Sequence, residues 1–174
     1  MNNEDAKELV EIVRLQVSAS KDIESDFKVG KVDEGVIVKI SMYADTQISP
    51  CCSFWGGIIA QEVIKITGKY TPLRQWLHHD FLDIIPDDVD RSPNNSRYDD
   101  YVVLFGKQFV EEGARKSIFL VGAGALGCEF IKMSAMMGLN TQSTFTCTDD
   151  DKISPSNLSR QFLYKKNNIG ENKS

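Results

Sequence analysis

The chain has 174 residues and a formal net charge of −5, with 41% hydrophobic and 26% charged residues. A length and composition of this kind are typical of one folded domain and argue against wholesale disorder. The acidic balance offers no basic surface for nucleic acid, and the sequence shows neither a membrane-spanning apolar run nor a signal peptide.

The first half of the chain is predicted to be mostly helical. Apolar residues at helical spacing after Asp5 predict an amphipathic helix. Residues 36–43 are ambiguous, because Val36, Ile40 and Tyr43 fit one helical face whereas the β-branched residues at the start favour a strand. The sequence leaves both assignments open.

A longer helix is predicted over residues 54–67, followed by a stop signal at Gly68 and by a strand over residues 73–82. Gly56 and Gly57 lower the helix propensity near its start, which indicates that another backbone or a ligand approaches the helix there. The residues predicted to lie on its buried side are Phe54, Ile58, Val63 and Ile66.

Residues 85–96 form a predicted linker, because they combine two prolines, paired asparagines and several acidic residues. The linker divides the chain into residues 1–84 and residues 97–174. We therefore expect two structural parts joined by a turn-rich segment.

The second part contains the pattern of a βαβ unit. A continuously apolar run at residues 117–121 is typical of a strand buried on both faces of a parallel sheet. It leads into GAGALG at 122–127, a predicted helix over 128–137 and a second predicted strand over 144–148. The predicted fold class is therefore α/β with a parallel sheet, preceded by a mostly helical segment that ends in a strand.

The glycine-rich turn matches the G-x-G-x-x-G pattern of a phosphate-binding loop. Gly122 permits a tight turn, Gly124 lets backbone N–H groups approach phosphate oxygens, and Gly127 lets the helix lie close to the strand. Asp149 lies 22 residues after Gly127, the spacing of an acid that accepts hydrogen bonds from ribose hydroxyls. The alternative is a glycine-rich turn that binds nothing.

The loop alone does not distinguish ATP from NAD. Beyond the second strand, Lys152, Asn157 and Arg160 follow the acid closely, and a triphosphate site has use for such side chains. A dinucleotide fold does not require them. For Arg160 taken alone, the alternative is a surface ion pair with a nearby aspartate.

The four cysteines predict neither a metal site nor a disulfide framework. Cys51 and Cys52 are adjacent, and no second Cys or His pair stands at the spacing of zinc ligands. Free thiols are expected, because the chain is long, has few cysteines and shows no export signal. No sequence neighbour would lower a thiol pKa, so none of the four is expected to be catalytic.

Several motifs together resemble ubiquitin-activating (E1) enzymes of the single-chain type. RYD at 97–99, GAGALG at 122–127 and SNLSRQFL at 156–163 are similar to the opening of their active adenylation half. FWGGIIAQEVIK at 54–65 is similar to the end of their inactive half. The resemblance implies a partial Rossmann-like adenylation fold of the ThiF/MoeB type, with an incomplete parallel sheet.

By the same resemblance, residues 1–84 are the C-terminal part of the inactive half, and residues 97–174 are the N-terminal, ATP-binding part of the active half. The chain is then expected to be a fragment that is inactive alone. An incomplete sheet would expose an edge and apolar surface that invite self-association, which the sequence leaves open. The implied full enzyme adenylates the C-terminus of ubiquitin with MgATP, transfers it to a cysteine outside this chain and works with E2 conjugating enzymes. The implied localisation is cytoplasmic and nuclear.

The resemblance implies ATP and Mg²⁺ as cofactors and gives roles to several residues. Asp149 would bind the ribose, and Asp151 and Asn157 would lie near the phosphates and magnesium. Arg160 would be the catalytic residue that stabilises charge at the α-phosphate, and Lys173 matches a phosphate-binding lysine. No residue of the chain is assigned as a metal ligand. The residues implied to bind ATP are Gly122, Gly124, Ala125, Gly127, Asp149, Asp151, Asn157, Arg160, Gln161 and Lys173.

Two other classes of function are open from the residues alone. An NAD-dependent oxidoreductase would use the same strand, glycine turn, helix and acid, but it leaves the SNLSRQFL block unexplained. A non-catalytic scaffold segment would only pack against a partner and bind no nucleotide.

Overall fold

The computed structural model of the chain describes residues 3–20 and 29–174. The chain forms two compact units, the first from Met1–Gln47 and Arg74–Asp88, the second from Ile48–Leu73 and Val89–Ser174. One boundary between the units, at Asp88 and Val89, falls within the predicted linker, whereas Ile48–Leu73 belongs to the second unit. No helix among the described residues has the length and apolarity needed to cross a membrane.

The first unit is built on two helices that pack against each other, α1 (Asn3–Ala19) and α2 (Glu34–Tyr43). The predicted N-terminal helix is confirmed, and the ambiguous segment is a helix. Asp33 explains that outcome, because its carboxylate accepts a hydrogen bond from the Val36 amide at 3.1 Å and caps the first turn.

The predicted strand over residues 73–82 is wrong. This segment is irregular as far as a short 3₁₀ turn at Leu82–Ile84. Its apolar side chains do not face a core, since Trp76 is 88% exposed, and within the described residues no strand lies beside it to complete a ladder. The segment has no sheet to join.

The second unit contains the other regular elements. A helix predicted over residues 54–67 is confirmed as α3, although it begins earlier because Pro50 suits its first turn. The apolar residues 101–105 are helical and supply much of the core, in which Val102 is fully buried. The elements in chain order are α3 (Ser49–Lys65), α4 (Asp99–Phe105), α5 (Lys107–Arg115), β1 (Ile118–Val121), α6 (Ala125–Met137) and β2 (Phe145–Thr148).

Two expectations about α3 are wrong. Its predicted buried side is largely exposed, with Val63 58% and Ile66 82% accessible. Among the described residues, no neighbouring atom lies within 4 Å of where a Cβ would stand at Gly56 or Gly57, so the expected approach of another backbone is wrong. Helical periodicity identified the helix, but it does not reveal which face another element covers.

The sheet consists of β1 and β2, which pair in parallel with Ile118 opposite Phe145 and Val121 opposite Thr148. This confirms the small, incomplete parallel sheet. The prediction that β1 is buried on both faces is wrong, because Phe119 and Val121 are 67% and 74% exposed. Helix α6 covers only the opposite face, where Leu120 lies.

Candidate functional site

The loop between β1 and α6 has the conformation that its glycines predict. Gly122 adopts φ +98° and donates its amide to the Thr148 carbonyl at 2.8 Å, which extends the parallel pairing beyond β1. A Cβ at Gly127 would lie 2.1 Å from the Gly122 carbonyl oxygen. The tight turn and the close approach of α6 to β1 are therefore confirmed.

The surface of this loop is open. Among the described residues, no atom beyond the adjoining residues lies within 4 Å of a Cβ built at Gly122 or Gly124. Gly124 is the N-cap residue of α6 and forms no side-chain cap hydrogen bond. Amides at a helix N-terminus carry partial positive charge, so this turn can accept an anionic group.

Asp149 joins the end of β2 to the glycine loop. Its Oδ2 accepts from the Ala123 amide at 2.7 Å, and its Oδ1 accepts from the Asp151 amide at 2.9 Å. The hydrogen bond from Asp151, followed by that from Ala123 and the charge of Lys173, outweighs desolvation and lowers the pKa of the Asp149 carboxyl. Asp149 is therefore an ionised acceptor directly beside the loop.

Lys173 lies against the same acids. Its Nζ is 2.7 Å from Asp151 Oδ2 and 3.9 Å from Asp149 Oδ1, and its side chain is 6% exposed. The hydrogen bond to Asp151 is the main cause of its raised pKa. A short antiparallel pairing positions the lysine, because Lys173 donates its amide to the Asp151 carbonyl at 3.1 Å.

The carboxylates of Asp149, Asp150 and Asp151 lie within 4.8 Å of one another. Carboxylate oxygens are ligands that Mg²⁺ prefers. The Lys173 ammonium lies beside two of these acids and offsets one of the three negative charges.

Three predicted residues lie in and just after the 3₁₀ turn Pro155–Ser159. The Asn157 side chain accepts from the Ser154 amide at 3.0 Å and so holds the turn itself. The Oε1 of Gln161 is buried without a hydrogen-bond partner. Arg160 is exposed and donates to the Ser156 carbonyl at 3.0 Å, and across residues 3–20 and 29–174 it forms no ion pair with an aspartate.

Contacts thus connect the glycine loop with Asp149, Asp151 and Lys173, whereas the Asn157 side chain is hydrogen-bonded within its own turn.

Tyr164 also contacts the site, although no sequence motif indicated it. Its hydroxyl donates towards the Ala123 carbonyl at 2.7 Å and the Lys173 carbonyl at 3.2 Å. These contacts span 41 and 9 residues. No local motif could have indicated them.

Comparison with known proteins gives related sequences for nearly the whole chain. A model of the ThiF family matches residues 98–174. Ubiquitin-activating enzyme E1 1 of Arabidopsis thaliana is 41% identical over 99% of this chain. Ubiquitin-like modifier-activating enzyme 1 of Oryctolagus cuniculus is 40% identical over 94% of it. The chain spans 16% of the length of each of these two relatives.

Among solved structures, a crystal structure of E. coli MccB with ATP is 24% identical to the chain. The match covers 51% of this chain and 27% of the MccB chain, with a TM-score of 0.42. A likeness of this size is too weak to support an argument about ligands.

Proposed function

The chain is homologous to ubiquitin-activating enzymes E1 and carries a ThiF segment at residues 98–174, and on this premise we propose that it supplies part of an MgATP-dependent adenylation site within a longer enzyme. The observation that carries the proposal is the hydrogen bond of the Asp149 carboxylate to the Ala123 amide of the glycine loop. It places an acid beside an anion-accepting helix N-terminus, as a nucleotide requires.

The residues present fit ATP in three respects. The loop is open above Gly122 and Gly124, so phosphate oxygens have room to approach its amides. Asp149 accepts two amide hydrogens, and a carboxylate has about four acceptor sites, so it retains capacity for ribose hydroxyls. Gln161 has a buried oxygen without a partner.

The proposed reaction is acyl adenylation. The C-terminal carboxylate of ubiquitin attacks the α-phosphorus, the bond to the oxygen bridging the α- and β-phosphorus atoms breaks, and pyrophosphate leaves. Bound MgATP supplies the activated phosphorus. Arg160 retains free guanidinium donors for charge that develops at the α-phosphate, and Lys173 partly compensates the negative charge of Asp149 and Asp151.

We place the thioester cysteine outside this chain. Burial, followed by the neighbouring Cys52, raises the pKa of the Cys51 thiol, which disfavours the nucleophilic thiolate. Cys128 is buried. Ubiquitin and E2 enzymes as partners, cytoplasmic and nuclear localisation, and the division of residues 1–84 and 97–174 between two adenylation halves belong to the same proposal, and they rest on the family resemblance.

The oxidoreductase alternative finds no support in the relatives.

Measurement of MgATP binding tests the proposal. The variant Gly124→Asn separates an effect on nucleotide binding from an effect on folding. The new side chain meets open space, and asparagine is a good N-cap residue, so the fold should be retained. The asparagine side chain would fill the space above the loop and compete with phosphate oxygens for the loop amides.

We expect Gly124→Asn to weaken MgATP binding about tenfold or more without lowering the melting temperature. Gly56→Asn is the matched control, because Gly56 also has open space around it but lies in α3. Calorimetric titration measures both variants. Equal affinity of Gly124→Asn and the unchanged chain would contradict binding at this loop.

A further inference from the structure

Tyr164 lies at the point where the glycine loop meets the segment that carries Lys173. Its hydroxyl oxygen is 2.7 Å from the Ala123 carbonyl oxygen and 3.2 Å from the Lys173 carbonyl oxygen. A phenol has one proton to donate. The closer Ala123 carbonyl therefore receives the main hydrogen bond, and the Lys173 carbonyl shares the same proton.

The hydroxyl of Tyr164 remains a donor throughout the neutral pH range. Burial, together with the nearby thiols of Cys128 and Cys147 and the charge of Asp149, raises the pKa of Tyr164 to about 12. An ionised phenolate would also face two carbonyl oxygens, which repel negative charge. The contact is therefore a constant one rather than a pH-dependent one.

This hydroxyl completes the restraint of the backbone on both sides of the Ala123 Cα. Asp149 accepts from the Ala123 amide on one side, and Tyr164 donates to the Ala123 carbonyl on the other. Lys173 is held in a comparable way, because its amide donates to the Asp151 carbonyl and its carbonyl accepts from Tyr164. Tyr164 thus connects the two chain segments that carry the proposed phosphate-binding groups.

We propose that Tyr164 is a positioning residue that holds the glycine loop and Lys173 in the conformation competent for nucleotide binding, an inference that rests on the proposed function. A group held in its bound conformation loses less entropy when the ligand arrives. Removal of the hydroxyl should therefore reduce affinity by releasing the loop, although Tyr164 need not touch the nucleotide.

The test compares Tyr164→Phe with Tyr70→Phe, a matched control because Tyr70 is exposed. Amide hydrogen exchange should become about threefold to tenfold faster at Ala123, Cys128 and Lys173 in Tyr164→Phe, with the melting temperature nearly unchanged. MgATP should bind about threefold to tenfold more weakly. A tyrosinate absorbance component that titrates near pH 12 should disappear.

Two results would overturn the inference. One is unchanged exchange at these amides, and the other is faster exchange throughout the chain with a lowered melting temperature, which would indicate an ordinary packing role. Exchange is measured without nucleotide. If the longer enzyme fails to bind MgATP, the proposed function fails, while the local exchange result still decides whether Tyr164 orders the loop.

Discussion

The Asp149 carboxylate accepts a hydrogen bond from the Ala123 amide at 2.7 Å across 26 residues of sequence. This contact joins the carboxyl ends of two parallel strands, which is where open α/β sheets bind their ligands. The same carboxylate lies beside the Lys173 ammonium. One acid therefore connects the glycine loop, the second strand and the C-terminal segment.

The lowered pKa of Asp149 makes a testable contribution to acid stability. A carboxyl whose pKa is lower in the folded state stabilises the fold above its ordinary value of 3.8, and that stability is lost as the pH falls through the folded value. Asp149→Asn should therefore destabilise the chain at pH 6 and much less at pH 2. Urea denaturation at both pH values measures the difference.

Asp150→Asn is the control for this pH dependence, because Asp150 is exposed and adjacent. Its free energy of unfolding should stay close to that of the unchanged chain at both pH values. If Asp149→Asn lowers the free energy of unfolding as much at pH 2 as at pH 6, the ionised form of Asp149 is not what stabilises the loop.

Gly127→Ala should destabilise the chain by about 2–3 kcal/mol, because the new Cβ would lie 2.1 Å from the Gly122 carbonyl oxygen. Gly56→Ala should instead leave stability unchanged or raise it by about 0.5–1 kcal/mol, since its Cβ meets open space within a helix. Urea denaturation of both variants checks the contrast. Equal stabilities would contradict the tight packing of α6 on the loop.

Arg160→Ala in the longer enzyme should lower ubiquitin-dependent ATP–pyrophosphate exchange by about 100-fold or more, since preorganised charge at a developing oxyanion is worth several kcal/mol. Arg160→Lys keeps the positive charge but loses the planar set of guanidinium N–H donors, so it should recover only part of the activity. Near-normal exchange by Arg160→Ala would remove this residue from the catalytic role.

The chain alone should form no thioester with ubiquitin in the presence of MgATP. Its Cys51 thiol has a raised pKa and its Cys128 thiol is buried. A non-reducing gel checks this expectation, with the same sample under reducing conditions as control. A thiol-sensitive adduct would place the reactive cysteine within this chain.

The βαβ unit could be predicted because its signals are local. The apolar run before Gly122, the glycine spacing and the helical periodicity after Gly127 each depend on neighbouring residues, and Asp149 follows at a fixed distance. The structure places these elements as the sequence indicates. Local patterns were therefore sufficient to find the loop and its acid.

The remaining features depend on contacts that a local pattern does not contain. Phe119 and Val121 belong to an apolar strand, yet their exposure depends on whether another element covers that face of the sheet. The segment around Trp76 is irregular, and within the described residues no strand lies beside it. Tyr164 meets Ala123 only through tertiary structure.

Calorimetric titration of the chain with MgATP and, separately, with NAD distinguishes a nucleoside triphosphate site from a dinucleotide site. We expect saturable binding of MgATP that Gly124→Asn weakens and Gly56→Asn does not, with NAD binding much more weakly. Tighter binding of NAD than of MgATP, or MgATP binding that is indifferent to Gly124→Asn, would contradict this expectation.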